Sequence, residues 1–192
     1  NKNVTFFDDI FFKGLIKDEE KLRKNEVKHP ELKEYRKGGS RQHNVLPVWA
    51  AFSYFEMGTM VMMYSYLRGD LRKEVLNYTY SCSNYKKEVT KQMDTWLDAV
   101  RNLRNYCAHH SMLVGLTSSV VIPDKRDSAD VLPDNTNLYS RLYALKKILP
   151  QEEANMLATE LVRLISRSKI DIYGMNILPE NWKELYDQVL FL

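Results

Sequence analysis

The sequence predicts an all-α fold, a helical bundle with additional helices, on three observations. Apolar residues recur at three- and four-residue spacing over several stretches long enough to be helices. Seven glycines and six prolines in 192 residues are too few for a sandwich or barrel of many short strands. Capping residues and terminal charges flank the periodic stretches where helices should begin and end. At 44% hydrophobic and 28% charged, the chain has an ordinary globular composition, and its length suits one domain or a domain with an appendage.

In chain order, residues 4–12 are apolar and aromatic, and periodicity alone does not assign them. Residues 14–37 read as a charged helix. Gly38, Gly39 and Ser40 form the clearest break. They divide the chain into a basic, helical N-terminal segment over 1–42 and a helical domain over 43–192. The first helix of that domain is expected to take Asn44 as its cap and Pro47 in its first turn. It should carry Trp49, Phe52, Phe55, Glu56, Met60, Met63 and Tyr64 inward and end at Arg68 and Gly69. A short helix is expected over 70–80. Ser83 is placed to cap a long helix from about 85 to 110. Its inward stripe would be Val89, Met93, Trp96, Leu97, Val100, Leu103, Arg104 and Cys107.

Residues 115–135 read as a long loop, within which Val120, Val121 and Ile122 suggest a short strand. Three helices close the chain. Leu138, Leu142, Leu145 and Ile148 mark the first. Pro150 starts the second, with Gln151, Glu152 and Glu153 at its positive end, Arg163 and Arg167 at its negative end, and a core face of Met156, Leu157, Leu161, Leu164 and Ile165. Pro179 starts the third, with Trp182, Leu185, Tyr186 and Val189 inward. Trp49, Trp96 and Trp182 read as core anchors and Met57, Met60, Met62 and Met63 as core filler.

The formal net charge of +3 says little about partners, but its distribution says more. Ten lysines and arginines from Lys13 to Arg41 crowd the N-terminal segment, which is either an attractor of polyanions or a solvated face interleaved with Asp18, Glu19, Glu20, Glu26, Glu31 and Glu34. Cys82 and Cys107 make neither a disulfide framework nor a zinc site and fit a reducing, cytoplasmic setting. No apolar run reaches the roughly 18 residues of a membrane span, and the first residues do not read as a signal peptide.

The stretch with chemical content runs Leu103-Arg104-Asn105-Tyr106-Cys107-Ala108-His109-His110. It holds a fixed cation for phosphate and two groups of the kind that titrates near neutral pH. Such a pair can cleave RNA without metal or cofactor. His109 would take the proton of the 2′-hydroxyl, Arg104 would stabilise charge on the phosphorus-centred transition state, and Asn105 would orient the histidine or hold a phosphate. His110 is the second choice of base. On an ideal helix Arg104 and His109 stand about 140° apart, so either the helix end is distorted or a second copy completes the site across a two-fold axis. Chance places one Arg-x4-His in such a chain roughly one time in five, so the spacing alone is weak. Lys86, Lys87 and Arg101 are the expected RNA-binding cations, and Tyr78, Tyr80 and Tyr85 could stack bases. The structural alternative has Arg104 paired with Asp94 or Asp98 and the histidines merely finishing the helix.

The block from Leu103 to Met112 resembles the motif helix of the HEPN superfamily, an Arg followed by His with Asn favoured after the Arg. Leu46-Pro47-Val48-Trp49, Glu56 and Gly58-Thr59-Met60 resemble a further element of the Abi-like abortive-infection proteins of bacteria, the AbiD and AbiF type. So do Tyr139 to Leu145 through Pro150, and Met175 to Trp182. The resemblance covers roughly residues 43–190, with 1–42 matching weakly. It implies a HEPN-like bundle, RNA as target, a role in phage defence, a homodimer, and a restraining antitoxin protein or small noncoding RNA. It implies Arg104 and His109 as catalytic, Asn105 as their polar neighbour, and Glu56 as a supporting carboxylate. The leading expectation is a metal-independent endoribonuclease. The competing one is a non-catalytic module that binds RNA or a protein partner.

Overall fold

The structure, a computed structural model, describes residues 52–80, 87–117 and 119–192. The expected helix over 14–37, the Gly38-Gly39-Ser40 break, the caps Asn44 and Ser83, and Pro47 and Trp49 lie outside the described residues. The chain forms two compact units, Asn1–Arg72 and Lys73–Leu192. The described residues are helical, with no strand among them: α1 Met57–Tyr66, α2 Gly69–Tyr80, α3 Lys87–Ala108, α4 Leu138–Ile148, α5 Gln151–Arg167 and α6 Trp182–Gln188, plus a 3₁₀ turn at Ala129–Val131. None of these helices is long and apolar enough to cross a membrane.

In the first unit, the helix expected to run unbroken to Gly69 is interrupted. Glu56 is extended, and its carbonyl accepts the first bond of α1 from Met60 N–H at 3.1 Å. Periodic apolar spacing reports which residues share a side; it does not report an unbroken backbone. Gly69 opens α2 instead of closing α1, because Leu67 already ends α1 in extended backbone. Asp70 in the first turn of α2 pairs with Arg68, and that hydrogen bond draws its carboxyl down to about 2. Of the methionines read as core filler, Met63 is buried, while Met62 is half exposed.

The second unit is built around α4. Tyr139, Ser140, Arg141, Leu142, Tyr143 and Ala144 are all buried, so this helix is covered on every side. One side meets α3, where Tyr143 stands edge-on to the fully buried Trp96 at 6.5 Å. The other meets α5 and α6 in an apolar cluster of Tyr139, Leu142, Ala158, Leu178, Trp182, Leu185 and Tyr186. Leu149 and Pro150 are both extended and separate α4 from α5, as a residue before proline requires. Trp96 and Trp182 are the anchors their composition suggested.

The core face of α5 differs from expectation. Ala154 and Ala158 are buried, and Leu161 and Ile165 pack against the cluster, while Met156 and Leu164 are exposed. Two alanines let α6 approach so closely that Tyr186 O–H donates to the Ala154 carbonyl at 3.0 Å. Bulkier residues on that stripe would hold the helices apart.

The segment read as a possible strand is a strap. Ser119 Oγ donates to Asp98 at 2.5 Å, Ile122 N–H to Thr95 Oγ1 at 3.1 Å, Trp96 Nε1 to the Ile122 carbonyl at 2.9 Å, and Gln92 Nε2 to the Pro123 carbonyl at 2.7 Å. The chain thus runs back along α3, and side chains of α3 satisfy backbone groups that a strand would have paired with a neighbour. Below it, the buried Lys147 ammonium lies 3.3 Å from Asp124 and 2.9 Å from Asp127 and donates to the Leu190 carbonyl at 2.7 Å. Tyr143 O–H donates to Asp127 at 2.5 Å and accepts from Asp124 N–H at 2.7 Å.

Candidate functional site at the end of α3

Burial along α3 changes with position. Met93, Trp96 and Ala99 are buried, Val100 and Leu103 are half-buried, and Arg104, Cys107, His109 and His110 are exposed. Arg104 and Cys107 therefore do not continue the inward stripe as expected. The last turn projects beyond the surface that α4 covers, and its side chains are available to a ligand.

The helix ends in a Schellman arrangement. Ser111 N–H donates to the Tyr106 carbonyl at 2.9 Å and His110 N–H to the Cys107 carbonyl at 3.2 Å. His109 N–H still bonds the Asn105 carbonyl at 3.0 Å, so helical geometry persists through His109. The distortion falls on His110, whose φ of 51° is left-handed. A residue with a Cβ pays about 1 kcal/mol or more for that conformation, and glycine pays almost nothing. The helix thus ends close to residue 110, as expected, and Gly115, at φ 71°, serves the next turn.

Arg104 Nη1 donates to Asn105 Oδ1 at 3.2 Å. The amide oxygen is thereby used, and the two amide N–H groups of Asn105 join the remaining guanidinium donors as a set suited to an anion. Arg104 does not take Asp98 as partner. Arg101 does, through Nε at 3.1 Å and Nη2 at 2.5 Å. Burial would raise the Asp98 carboxyl, but bonds from Ser119 and Arg101 outweigh it and hold the group below the usual carboxylate range. Sequence reasoning missed this tie, which anchors the strap leaving the site. Its signal was the i, i+3 pair Asp98 and Arg101.

The structure brings Arg104, Asn105, His109 and His110 together on one helix end. Glu56 is exposed and lies in the other compact unit. Lys86 lies outside the described residues, Lys87 opens α3, and Tyr78 is almost fully exposed on α2. Cys107 is a free, exposed thiol. Among the described residues, no three His, Cys, Asp or Glu side chains gather as a metal site.

A family sequence model described as Abi-like protein matches residues 2–114. The match takes in residues 2–42 and the whole Arg-His element, and it ends before the blocks at 139–150 and 175–182. No curated protein and no solved structure matches the chain.

Proposed function

The chain belongs to the Abi-like protein family, whose name points to abortive infection, and on that premise we propose that it is a metal-independent endoribonuclease of a phage-defence system. The observation that carries the reading is the exposed end of α3, where a cation, an amide and two imidazoles project from one helix terminus inside the matched span. In this reading the RNA 2′-hydroxyl attacks its own phosphate. Neutral His109 takes the hydroxyl proton, Arg104 neutralises charge on the phosphate oxygens, and Asn105 donates to one of them. Lys86 and Lys87 would hold the flanking strand through its phosphates, whereas Arg101 is already tied to Asp98.

Because the backbone stays helical through His109, Arg104 and His109 keep their angular separation of about 140°. One helix end then presents the two groups to different sides, and a HEPN-like homodimer would pair the arginine of one copy with the histidine of the other. A protein antitoxin or a noncoding RNA would restrain such an enzyme by covering this end.

Arg104→Ala and His109→Ala are each expected to lose cleavage of a labelled RNA by about 100-fold or more while still retaining it in a filter-binding assay. Mixing the two inactive variants should restore roughly a quarter of native activity, since half the dimers are mixed and each holds one intact site. Silent mixtures with active native protein would mean that one chain carries the whole site. Retained cleavage by both variants would contradict the assignment.

A further inference from the structure

We propose that His110 is a second catalytic group of this site, giving its proton to the leaving 5′-oxygen while His109 takes the proton of the attacking 2′-hydroxyl; the inference rests on the ribonuclease reading above. The observation is one of backbone and surroundings. His110 holds the left-handed position that closes α3, at φ 51°. Among the described residues the other left-handed positions are Gly115 and Asn176, both residue types that accept this conformation readily. A glycine would close α3 with less strain and make the same two backbone bonds. The imidazole of His110 is exposed, and among the described residues no hydrogen bond holds it. Strain kept at an exposed histidine, beside an arginine and another histidine, points to use of the ring itself.

The placement fits the reaction. In-line displacement puts the attacking and leaving oxygens on opposite sides of phosphorus, so the base and the acid must approach from two directions. His109 and His110 are consecutive, with Cα atoms about 3.8 Å apart, which lets both reach one phosphate. His109 still donates its N–H to the helix, and His110 is left-handed, so the backbone changes conformation between the two rings. The 2′-oxygen–phosphorus bond forms as the phosphorus–5′-oxygen bond breaks. The hydroxyl proton passes to the neutral imidazole of His109, and the 5′-oxygen departs with the proton of the His110 imidazolium. The products are a 2′,3′-cyclic phosphate and a 5′-hydroxyl, and exchange with water resets both rings.

The test is His110→Gly, which suits the left-handed backbone, with His110→Asn as a second variant tolerant of that geometry. Each is assayed on ordinary RNA and on RNA with sulfur in place of the 5′-bridging oxygen, a leaving group that needs no proton. We expect His110→Gly to melt at or above the native temperature and to cut ordinary RNA at least ~100-fold more slowly. It should cut the sulfur substrate at close to the native rate and lose the alkaline fall of the pH–rate profile. His109→Ala should fail on both substrates. A native rate for His110→Gly on ordinary RNA, or equal slowing on both substrates, would overturn the proposal. A well-folded native chain that cuts neither substrate would instead overturn the ribonuclease reading and take this one with it.

Discussion

At the residue scale, the clearest commitments of the second unit are its buried charges. Lys147 and Asp124 are almost fully buried and close enough to compensate one another, and Asp127 completes the triad. Removing one member of such a set leaves an uncompensated charge, which typically costs about 3–5 kcal/mol. Burial by itself would raise the Asp124 carboxyl. Hydrogen bonds from the Arg126 side chain and backbone, together with the Lys147 charge, reverse that and bring it down to about 2. A carboxyl whose pKa falls on folding contributes stability above its unfolded value, near 3.9, and loses that contribution as pH falls toward its folded value. Urea unfolding should therefore show stability dropping between about pH 4 and pH 2. Asp124→Asn should be less stable at neutral pH and show a flatter profile in that window. An unchanged slope in the variant would assign the acid sensitivity elsewhere. None of this was visible in the sequence, because Lys146 and Lys147 look like ordinary cations at a helix C-terminus and acquire their meaning only from what α4 is packed against.

At the scale of elements, α5 separates what periodicity can and cannot tell. Met156→Lys is expected to change stability by less than about 0.5 kcal/mol, since the side chain is exposed. Ala158→Leu should destabilise by about 1–3 kcal/mol by forcing α6 away. Thermal melts of the two variants check the pair, and the opposite order would return the core to the face with the larger side chains. The helix itself was legible from its Glu-rich start and Arg-bearing end, but its buried side only in part: Leu161 and Ile165 pack inward as expected, whereas Ala154 and Ala158 are the buried residues and Met156 and Leu164 are left outside. The same logic covers the rest of the chain. Helices α2 to α4 and α6 follow from the sequence pattern, and Trp96 and Trp182 from size. The strap over 119–123 was not legible, since its bonds go to side chains more than twenty residues away. The break at Glu56 was hidden because apolar spacing continues across it. The Arg-His element was legible as a motif and its helix end near residue 110 as a boundary, but the left-handed backbone at His110 was not, because composition gives no signal for a left-handed histidine.

At the scale of the whole molecule, the functional reading turns on one exposed helix end in the second unit. In α3, the first half is held by α4 and the strap, and the last turn carries Arg104, Asn105, His109 and His110 into the open. In the proposed reading, this exposed end takes an RNA phosphate and meets a second copy, or a partner that covers both. The account stands on the nature of the cut more than on the cut itself. A protein that uses the 2′-hydroxyl as nucleophile leaves a distinctive end, whereas one that activates water leaves another. The direct measurement is therefore end-group analysis of a labelled RNA incubated with the purified chain in excess EDTA, beside His109→Ala. The account predicts fragments ending in 2′,3′-cyclic phosphate and beginning with 5′-hydroxyl, produced by the native chain and not by the variant. Fragments with 3′-hydroxyl and 5′-phosphate ends, cutting that His109→Ala retains, or intact RNA beside a well-folded native protein would contradict it.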